Sequence, residues 1–502
     1  MPTMQMNSVT ETVDGVMLGS GVQFGTSGAR GEVVAMTDRV CYLYTRGFLQ
    51  YLAEIGEFAA GDRVALAGDL RPSSPRIAAA CAQGVIDAGG QVVWCGFVPT
   101  PALALYAFAQ GIASLMVTGS HIPDDRNGIK FYRPAGEVLK SDEAGMKRQA
   151  VSYDPARFDA AGMLLAPAAL PPVTDAETAY AERYLALFGE YALAGKRIGI
   201  YQHSAVGRDI LTRIVALLGA EAVPLGRAER FIPVDTEAIR PEDVALARQW
   251  APAHRLDAIV STDGDSDRPL LADETGEWLR GDVLGVLCAR ALGAQAVVTP
   301  VSSNTVLERS GAFATTARTR IGSPFVIAEM NRLLAEGHAG VCGYEANGGF
   351  LLGSDVVVGG RALGALPTRD AVLPILAALV AAGAAPLSAS LAGLPPRVTY
   401  SDRIQAFATE RSEALFASLL AGDAAAVQAR LDGCFGDLAG PIAGVDLTDG
   451  IRMTAQSGEI IHLRRSGNAP ELRCYSEADS APRAEALARA ALAKVEAGLP
   501  GV

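Results

Sequence analysis

The feature of this sequence that most restricts its fold is a repeated alternation of short apolar runs with Ala-rich segments. "RVALAGDL" (residues 63–70) has the pattern of a buried strand, residues 75–90 have that of a helix closed by glycines, and "QVVWCGFV" is typical of the next strand. The same cycle starts again at "KRIGIYQH" and once more near Gly281. Strands that alternate with helices are typical of α/β proteins, so we expect three α/β units in succession.

Two stretches rich in Pro and Ala indicate where the units separate. Residues 164–177 ("LLAPAALPPVTDAE") and the stretch "APLSASLAGLPPRVTY" are predicted to be linkers. The tail from about Ser401 combines helices, short strands and a final Ala-rich helix, so it differs from the preceding units. Within the first unit, the turn signal Asn127-Gly128 predicts that "IKFYR" pairs with the apolar strand before it as a hairpin.

Composition limits the classes of protein to which the chain can belong. Half of the 502 residues are apolar and a fifth are charged, which favours an α/β enzyme with sizeable cores. The net charge of −12 argues against a nucleic-acid partner, although local arginines can still bind an anion. Seven scattered cysteines, no signal-peptide pattern and no apolar run near the ~20 residues of a membrane helix predict a cytoplasmic protein without a membrane partner.

The stretch "STDGDSDRPLLADE" (residues 261–274) carries three aspartates at alternate positions, which are Asp263, Asp265 and Asp267. The spacing fits a calcium loop with Glu274 in the twelfth place, but such a loop needs a helix before it and a glycine where Arg268 stands. The apolar run before the aspartates instead predicts a buried strand. A magnesium site at the end of this strand is the favoured interpretation, and an acidic solvated turn is the alternative.

A serine lies in a second loop at the end of a predicted strand. In "VTGSHIPDDRNGIKFY" (residues 117–132), Ser120 follows the apolar run directly, and its hydroxyl is predicted to be exposed at the edge where α/β sheets bind ligands. An ordinary polar turn is the alternative. A Ser-His-Asp triad is not supported, because His121 is adjacent in the chain and no G-x-S-x-G motif is present.

Two further loops carry groups that could bind an anion or sugar hydroxyls. In "FGTSGARG" (residues 24–31), Arg30 can bind a phosphate or carboxylate, unless the stretch is only a flexible turn. In "GYEANGGF" (residues 343–350), Glu345 and Asn347 would point to the same side of an extended chain and could hold two sugar hydroxyls. A loop charge is the alternative for Glu345.

The stretch "LRRSGNAPELRCY" (residues 463–475) combines a guanidinium, a hydroxyl, an amide and glycine backbone in one tight loop. Such a set can form a phosphate cradle. Its candidate residues are Arg464, Ser466, Gly467 and Asn468. A solvated turn between two strands is the alternative interpretation.

The five motifs F-G-T-S-G-A-R-G, T-G-S-H-I-P, D-G-D-S-D-R, E-A-N-G-G and R-R-S-G-N-A-P-E occur in this order between residues 24 and 477. Together they resemble the α-D-phosphohexomutase superfamily, which includes phosphomannomutase and phosphoglucomutase. The resemblance implies an α/β fold class with three similar α/β domains containing mixed sheets, plus a smaller α+β C-terminal domain, and an active site in the central cleft. The expected domains are residues 1–165, 166–279, 280–396 and 397–502.

The resemblance also assigns roles to the candidate residues. The implied metal ligands are phosphorylated Ser120, Asp263, Asp265 and Asp267. The implied catalytic residues around the phosphoryl group are Ser120, Lys130, Arg30, His121 and Arg268, with Lys130 as the acid/base. The implied substrate-binding residues are Glu345, Asn347, Arg464, Ser466, Gly467, Asn468 and Arg473.

The function implied is the interconversion of hexose 6-phosphate and hexose 1-phosphate, with mannose, glucose or both as the sugar. The reaction would pass through a phosphoserine enzyme and a hexose 1,6-bisphosphate, with Mg²⁺ as cofactor, in a monomer or homodimer. A phosphoglucosamine mutase and a non-catalytic phosphosugar-binding relative are the alternatives. The preferred sugar stays open because the sequence departs from the family pattern at several positions. These are Ile122, Asn347, Gly349, residues 320–327 and Asn468-Ala469.

Overall fold

A computed structural model describes residues 8–465 and 470–499, which contain four main β-sheets in succession along the chain. The predicted α/β class is confirmed. Of the predicted site residues, Ser466, Gly467 and Asn468 lie outside the described residues. Each of the four expected domains contains one main sheet, and their exact boundaries stay a prediction.

The first unit has a main sheet in the order β2-β3-β7-β6-β4-β5, with β8 beside β7 and a separate pair β1-β9. Its strands are β1 (Val9–Thr12), β2 (Gln23–Phe24), β3 (Ala29–Glu32), β4 (Arg63–Gly68), β5 (Gln91–Phe97), β6 (Ala113–Val117), β7 (Arg126–Arg133), β8 (Gly136–Glu137) and β9 (Ala150–Tyr153). Its helices are α1 (Val13–Ser20), α2 (Asp38–Glu54), α3 (Ser74–Asp87), α4 (Thr100–Gln110) and α5 (Lys140–Lys147), and a 3₁₀ turn covers Pro155–Arg157.

The second unit has the sheet order β11-β10-β12-β13 and follows residues 165–177, which form neither helix nor strand, as predicted for the first linker. Its strands are β10 (Arg197–His203), β11 (Glu221–Arg227), β12 (Ala258–Thr262) and β13 (Pro269–Ala272). Its helices are α6 (Thr178–Phe188), α7 (Arg208–Leu217) and α8 (Pro241–His254).

The third unit has the sheet order β15-β14-β16-β17-β20 and a separate hairpin, β18-β19. Its strands are β14 (Ala296–Pro300), β15 (Thr315–Thr319), β16 (Val341–Tyr344), β17 (Phe350–Leu352), β18 (Val356–Val358), β19 (Arg361–Leu363) and β20 (Leu366–Asp370). Its helices are α9 (Gly281–Ala291), α10 (Val306–Arg309), α11 (Ser323–Ala335), α12 (Val372–Ala382) and α13 (Leu387–Ala392).

The fourth unit is an antiparallel sheet in the order β21-β25-β24-β23-β22, covered by helices. Its strands are β21 (Val398–Ile404), β22 (Ile442–Asp446), β23 (Ile451–Ala455), β24 (Ile460–Arg465) and β25 (Leu472–Ala478). Its helices are α14 (Thr409–Leu419), α15 (Ala424–Ala439) and α16 (Ala481–Ala497). The second predicted linker is wrong in part, because it contains α13 and the start of β21.

The first three units share one topology, which confirms that they are similar α/β domains. In each, three parallel strands are joined by helices, and the third strand turns back into an antiparallel neighbour: β6 into β7, β12 into β13, and β16 into β17. The turn after the third strand lies at the carboxyl edge of the sheet, where α/β proteins bind their ligands. The three turns contain the predicted serine, aspartate and glutamate motifs.

The packing of the cores shows which units are joined most closely. One hydrophobic cluster runs through the second and third units, from Tyr180 on α6 to Leu387 on α13, and it also includes Ala102 on α4 of the first unit. The fourth unit has its own cluster, which includes Phe435 and Leu463. In the described part of the chain, no single helix has the length and apolarity needed to cross a membrane, and only α14 and α15 taken together, bent by 116°, have them.

Candidate active site

The serine loop (residues 118–125) and the aspartate loop (residues 263–268) meet directly. Ser120 Oγ donates a hydrogen bond of 2.6 Å to Asp263 Oδ2, although 143 residues separate the two. Ser120 has no exposed surface, so the prediction of an exposed hydroxyl is wrong. The reason is that the aspartate loop of the second unit covers the end of β6, which a reading of the first unit alone could not show.

The aspartate loop forms a buried cluster of carboxylates. One oxygen from each of Asp263, Asp265 and Asp267 lies within 4.8 Å of the others, and all three residues are buried. None of the described residues forms a hydrogen bond with Asp265 Oδ1 or Asp267 Oδ1. Buried carboxylate oxygens without donors, converging on one point, are the ligand set that a hard divalent cation requires. The residues therefore fit the predicted metal site.

The structure also decides between the two metal interpretations of this motif. The strand β12 precedes the aspartates, as predicted, where a calcium loop would have a helix. Glu274, which would complete a calcium loop, instead accepts hydrogen bonds from the backbone N–H, at 3.3 Å, and the hydroxyl of Ser388. The carboxylate of Glu274 is therefore used in a contact outside the aspartate cluster.

Cations surround the aspartate cluster from three directions. Lys130 Nζ donates to Asp265 Oδ2 at 2.6 Å and also to Asp267 Oδ2. Arg369 Nε donates to Asp267 Oδ2 at 2.9 Å. The Arg268 guanidinium lies 3.8 Å from Asp267 and 3.9 Å from Asp263.

The electrostatics of the three carboxylates differ with their neighbours. Burial and the adjacent Asp265 and Asp267 raise the pKa of Asp263 well above its usual value. Burial also opposes ionisation of Asp265, but the Lys130 ammonium outweighs it and lowers the pKa of Asp265. The Arg369 guanidinium likewise outweighs burial and lowers the pKa of Asp267. A cation bound at the cluster would favour the ionised form of all three.

A buried arginine holds the serine loop in its conformation. Ser120 has a backbone φ of 58°, in the left-handed region that non-glycine residues rarely adopt. Arg71 Nη2 donates to the carbonyl oxygens of Ser120 (2.8 Å) and Ile122 (2.6 Å), and Arg71 Nε is paired with Asp69 at 3.1 Å. Sequence analysis missed Arg71, because nothing in "GDLRPSSPR" distinguishes it from a surface arginine.

His121 lies between the serine loop and Arg268. Arg268 Nη1 donates to His121 Nδ1 at 2.8 Å, and Asp235 Oδ2 lies 4.0 Å from His121 Nε2. Burial and the Arg268 guanidinium lower the pKa of His121 to about 3. The imidazole is therefore neutral near pH 7, with Nδ1 as an acceptor. Asp235 was not predicted, since it lies in an irregular stretch before α8.

The glutamate loop (residues 345–349) is a tight turn and not the extended chain that the sequence analysis assumed. Glu345 is buried and accepts a hydrogen bond of 3.3 Å from Arg369 Nη1. Asn347 uses its side-chain oxygen within the loop, where it accepts from the Gly349 N–H at 3.0 Å. Thr236 Oγ1 donates to the Asn347 carbonyl at 2.7 Å, which fixes this loop to the second unit.

Arg30 belongs to the same charged cluster. Burial, followed by the neighbouring Arg268 and Arg369 guanidinium groups, lowers the pKa of Arg30 to about 10, while Asp265 and Asp267 act in the opposite direction. None of the described residues accepts a hydrogen bond from Arg30 Nε. Arg30 therefore contributes positive charge on the side of the first unit.

The fourth unit brings further arginines to the end of its sheet. Arg464 on β24 lies opposite Arg473 on β25, and Arg473 lies opposite Arg403 on β21. Arg464 Nε donates to Asp449 Oδ2 at 2.9 Å, and the same oxygen accepts from the Ile321 N–H at 2.9 Å. The arginine pair on β24 and β25 therefore flanks the segment of the predicted phosphate cradle that is not described.

The fold and the site together define a class of enzyme: three α/β units with one buried loop each, and an acidic cluster that adjoins a serine. Family models for phosphoglucomutase/phosphomannomutase match three parts of the chain, namely α/β/α domain I (residues 21–154), α/β/α domain III (residues 280–398) and the C-terminal domain (residues 417–494).

Similarity to individual proteins extends over nearly the whole chain. A phosphomannomutase of Sinorhizobium fredii is 47% identical over 95% of this chain and 100% of its own, and one of Salmonella muenchen is 45% identical over 95% of both. The phosphoglucosamine mutase of Symbiobacterium thermophilum is 30% identical over 66% of this chain and 74% of its own. The crystal structure of a phosphoglucomutase/phosphomannomutase family protein from Burkholderia thailandensis has a TM-score of 0.71 at 22% identity, covering 95% of this chain and 98% of that one.

The chain belongs to the phosphoglucomutase/phosphomannomutase family of the α-D-phosphohexomutase superfamily. It is a phosphohexomutase, an isomerase that transfers a phosphoryl group within a hexose phosphate. The family resemblance noted in the sequence is thereby confirmed.

Proposed function

We propose that this phosphohexomutase interconverts mannose 6-phosphate and mannose 1-phosphate, and that glucose phosphates are its second substrates. The preference for mannose is supported by the two phosphomannomutases, which are 45–47% identical over nearly the full chain. The phosphoglucosamine mutase of Symbiobacterium thermophilum is 30% identical over a shorter part, which makes glucosamine phosphate the less favoured alternative.

The observation that carries the proposed mechanism is the 2.6 Å hydrogen bond from Ser120 Oγ to Asp263 Oδ2. It joins a hydroxyl of the first unit to an acidic cluster of the second inside one buried cleft. A phosphoryl group on Ser120 would extend from this oxygen toward the cluster, where its charge needs a cation. This contact supports the proposal that Ser120 is the phosphoryl carrier.

The residues proposed to hold Mg²⁺ are Asp263, Asp265, Asp267 and the phosphorylated Ser120. When bound, the ion supplies charge neutralisation for the transferring phosphoryl group. A phosphoserine contributes about −1.5 to −2 charge and the three aspartates contribute −3, so arginines and lysine must balance the rest. Arg30, Arg268 and Lys130 lie in the cluster and provide this positive charge.

Each of the remaining residues has a role in the transfer itself. Lys130 holds or releases the proton of the sugar hydroxyl that gains or loses the phosphoryl group. Neutral His121 accepts from Arg268 and keeps that guanidinium beside Ser120. Glu345 accepts hydrogen bonds from sugar hydroxyls, and the buried cleft excludes water that would hydrolyse the phosphoserine.

The second phosphate of the substrate needs its own site. Arg464 and Arg473, with Ser466, Gly467 and Asn468, are proposed to bind the phosphate that is not reacting. The hexose 1,6-bisphosphate formed in the first transfer would turn over in the cleft, so that the other phosphate returns to Ser120. The same cradle then serves both orientations of the sugar.

The proposal includes the domain boundaries expected from the sequence and a cytoplasmic monomer or homodimer without a nucleic-acid or membrane partner. The boundary near residue 165 is supported by the irregular segment 165–177. The cytoplasmic location is supported by seven buried cysteines at scattered positions. Limited proteolysis and size-exclusion chromatography with light scattering would test the boundaries and the oligomeric state.

A coupled assay tests the proposed function. Mannose 1-phosphate, glucose 1-phosphate and glucosamine 1-phosphate are each supplied with Mg²⁺ and a trace of hexose 1,6-bisphosphate. We expect the highest kcat/KM for mannose 1-phosphate, and Ser120→Ala is expected to abolish turnover while it still binds sugar phosphate. A higher kcat/KM for glucosamine 1-phosphate would contradict the proposed mannose preference. Full activity of Ser120→Ala would contradict the proposal that Ser120 carries the phosphoryl group.

A further inference from the structure

The end of strand β20 contacts all three α/β units of the protein. Thr368 Oγ1 donates to Glu137 Oε1 of the first unit at 2.6 Å. Arg369 reaches Asp267 of the second unit, and Asp370 accepts a hydrogen bond of 2.8 Å from the Tyr180 hydroxyl on α6. All three residues of this tripeptide are buried. The position of Arg369 is therefore fixed by contacts of both its neighbours.

Arg369 bridges two loops of the active site. Its Nε donates to Asp267 Oδ2 at 2.9 Å, and its Nη1 donates to Glu345 Oε2 at 3.3 Å. Its third nitrogen, Nη2, is buried and has no hydrogen-bond partner among the described residues. A buried cationic donor that is left unpaired is costly, and it is typical of a site that a ligand completes.

The glutamate loop is built around this arginine. A Cβ atom at Gly349 would lie 2.7 Å from Arg369 Cδ and 2.8 Å from Arg369 Cγ, which is closer than side-chain atoms pack. Any other residue at position 349 would therefore displace the Arg369 side chain. The absence of a side chain at Gly349, one of the departures noted in the sequence, provides the space that Arg369 occupies.

We propose that Arg369 is a positioning residue that couples the aspartate loop to the glutamate loop, and that its Nη2 donates to an oxygen of the bound phosphosugar. A guanidinium has donors in a rigid planar arrangement, so it can hold two carboxylates at a fixed mutual angle while one nitrogen faces a ligand. The inference rests on the proposed function, because it assigns Asp267 to the metal and Glu345 to the sugar.

The proposed role predicts that substitution of Arg369 changes the affinities for Mg²⁺ and for mannose 1-phosphate differently. Arg369 competes with a bound cation for Asp267, so Arg369→Gln should bind Mg²⁺ as tightly as the wild type or more tightly. The same change should weaken mannose 1-phosphate binding at least 10-fold, because Glu345 loses its support and the phosphosugar loses a donor. A merely structural defect would weaken both affinities together.

Titration calorimetry on the dephosphorylated enzyme, which has no phosphoryl group to transfer, measures both affinities. Arg369→Lys should weaken mannose 1-phosphate at least 5-fold, because an ammonium cannot span both carboxylates. Arg318→Gln serves as a matched control, since Arg318 is a mostly buried arginine on β15 that pairs with Glu308 at 2.7 Å. We expect this control to leave both affinities within about 2-fold of the wild type.

A double-mutant cycle with Glu345→Gln isolates the coupling. Because Arg369 is proposed to act partly through Glu345 and partly through its own Nη2, the double variant should bind mannose 1-phosphate more weakly than either single variant, but less weakly than the product of the two single losses. Additive losses, a parallel loss of Mg²⁺ affinity in Arg369→Gln, or wild-type affinity in Arg369→Lys would overturn the inference. The turnover of the wild-type enzyme distinguishes failure of the proposed function from failure of the role of Arg369. If the wild type does not turn over mannose 1-phosphate, the proposed function is wrong. If it does, and the losses in the double-mutant cycle are additive, only the role of Arg369 is wrong.

Discussion

In the cleft, a buried lysine lies within hydrogen-bond distance of buried aspartates. Lys130 lies 2.6 Å from Asp265 and, like the aspartates, is buried. Such a pair is stabilising only while both partners are present, since removal of one leaves an uncompensated buried charge. In this structure Lys130 neutralises the carboxylates. Its proposed role as the acid/base requires that the ammonium turns toward the sugar hydroxyl once another cation takes its place.

Lys130→Met is expected to lower kcat at least 100-fold, because general acid–base catalysis typically contributes a factor of about 10² to 10⁴. Steady-state assays with mannose 1-phosphate measure the effect. Lys494→Met is a suitable control, because Lys494 pairs with Asp437 on the surface of the fourth unit. If Lys130→Met retained more than about a tenth of the wild-type kcat, the loss would be smaller than general acid–base catalysis typically contributes, and the proposed role would be contradicted.

At the scale of elements, two buried histidines connect strand ends to loops. His203 at the end of β10 donates from Nε2 to the Thr262 carbonyl at 2.8 Å, directly before the aspartate loop. His462 on β24 donates from Nε2 to the Asp449 carbonyl at 2.6 Å. Burial lowers the pKa of each imidazole to about 4. Both rings are therefore neutral in the folded protein over most of the pH range in which free histidine titrates.

These histidines make the folded state sensitive to acid. Below about pH 6.5, His203 and His462 become protonated in the unfolded chain but stay neutral in the native protein. The free energy of unfolding should therefore fall as the pH drops from about 6.5 toward 4. Each histidine should contribute a slope of up to about 1.4 kcal/mol per pH unit in this window. Urea unfolding at pH 7 and pH 5 measures the slope.

The variant His203→Gln/His462→Gln should show a smaller loss of stability between pH 7 and pH 5 than the wild type. A glutamine can donate to the same carbonyl oxygens but does not titrate. An equal loss in both proteins would show that other groups cause the acid sensitivity.

The elements that present the motifs were predictable, whereas the contacts between the elements were not. The apolar run before the aspartates is local information, and it correctly predicted the strand β12 and the exclusion of a calcium loop. Arg369 lies 102 residues from its partner Asp267, and Arg71 lies 49 residues from Ser120, with no motif at either arginine. The burial of Ser120 was missed for the same reason, because a loop from another unit covers it.

At the scale of the whole molecule, the fourth unit has its own core and is joined to the third by a few buried polar contacts. Glu477 on β25 accepts from the Thr305 N–H of the third unit at 3.1 Å and from the Thr305 hydroxyl, and within the fourth unit it accepts from Arg397 Nε at 2.6 Å. Separate cores joined by polar contacts are typical of domains that move relative to each other. This arrangement suits a fourth domain that closes over bound phosphosugar.

Glu477→Ala tests this connection. The change leaves Arg397 buried without its main partner, and we expect the fourth unit to lose about 3–5 kcal/mol of stability and to unfold in a separate transition at lower temperature. Differential scanning calorimetry resolves such a transition. Glu485→Ala, which removes an exposed partner of Arg489 on α16, should change the stability by less than about 0.5 kcal/mol. A single unchanged transition in Glu477→Ala would contradict the proposed independence of the fourth unit.

The central claim is that Ser120 carries the phosphoryl group between the two positions of the sugar. Intact-mass spectrometry after incubation with a hexose 1,6-bisphosphate and Mg²⁺ tests it most directly. We expect an increase of about 80 Da, the mass of one phosphoryl group, located on the peptide that contains Ser120 and lost when hexose monophosphate is added. No mass increase in the wild type, or the same increase in Ser120→Ala, would contradict the account.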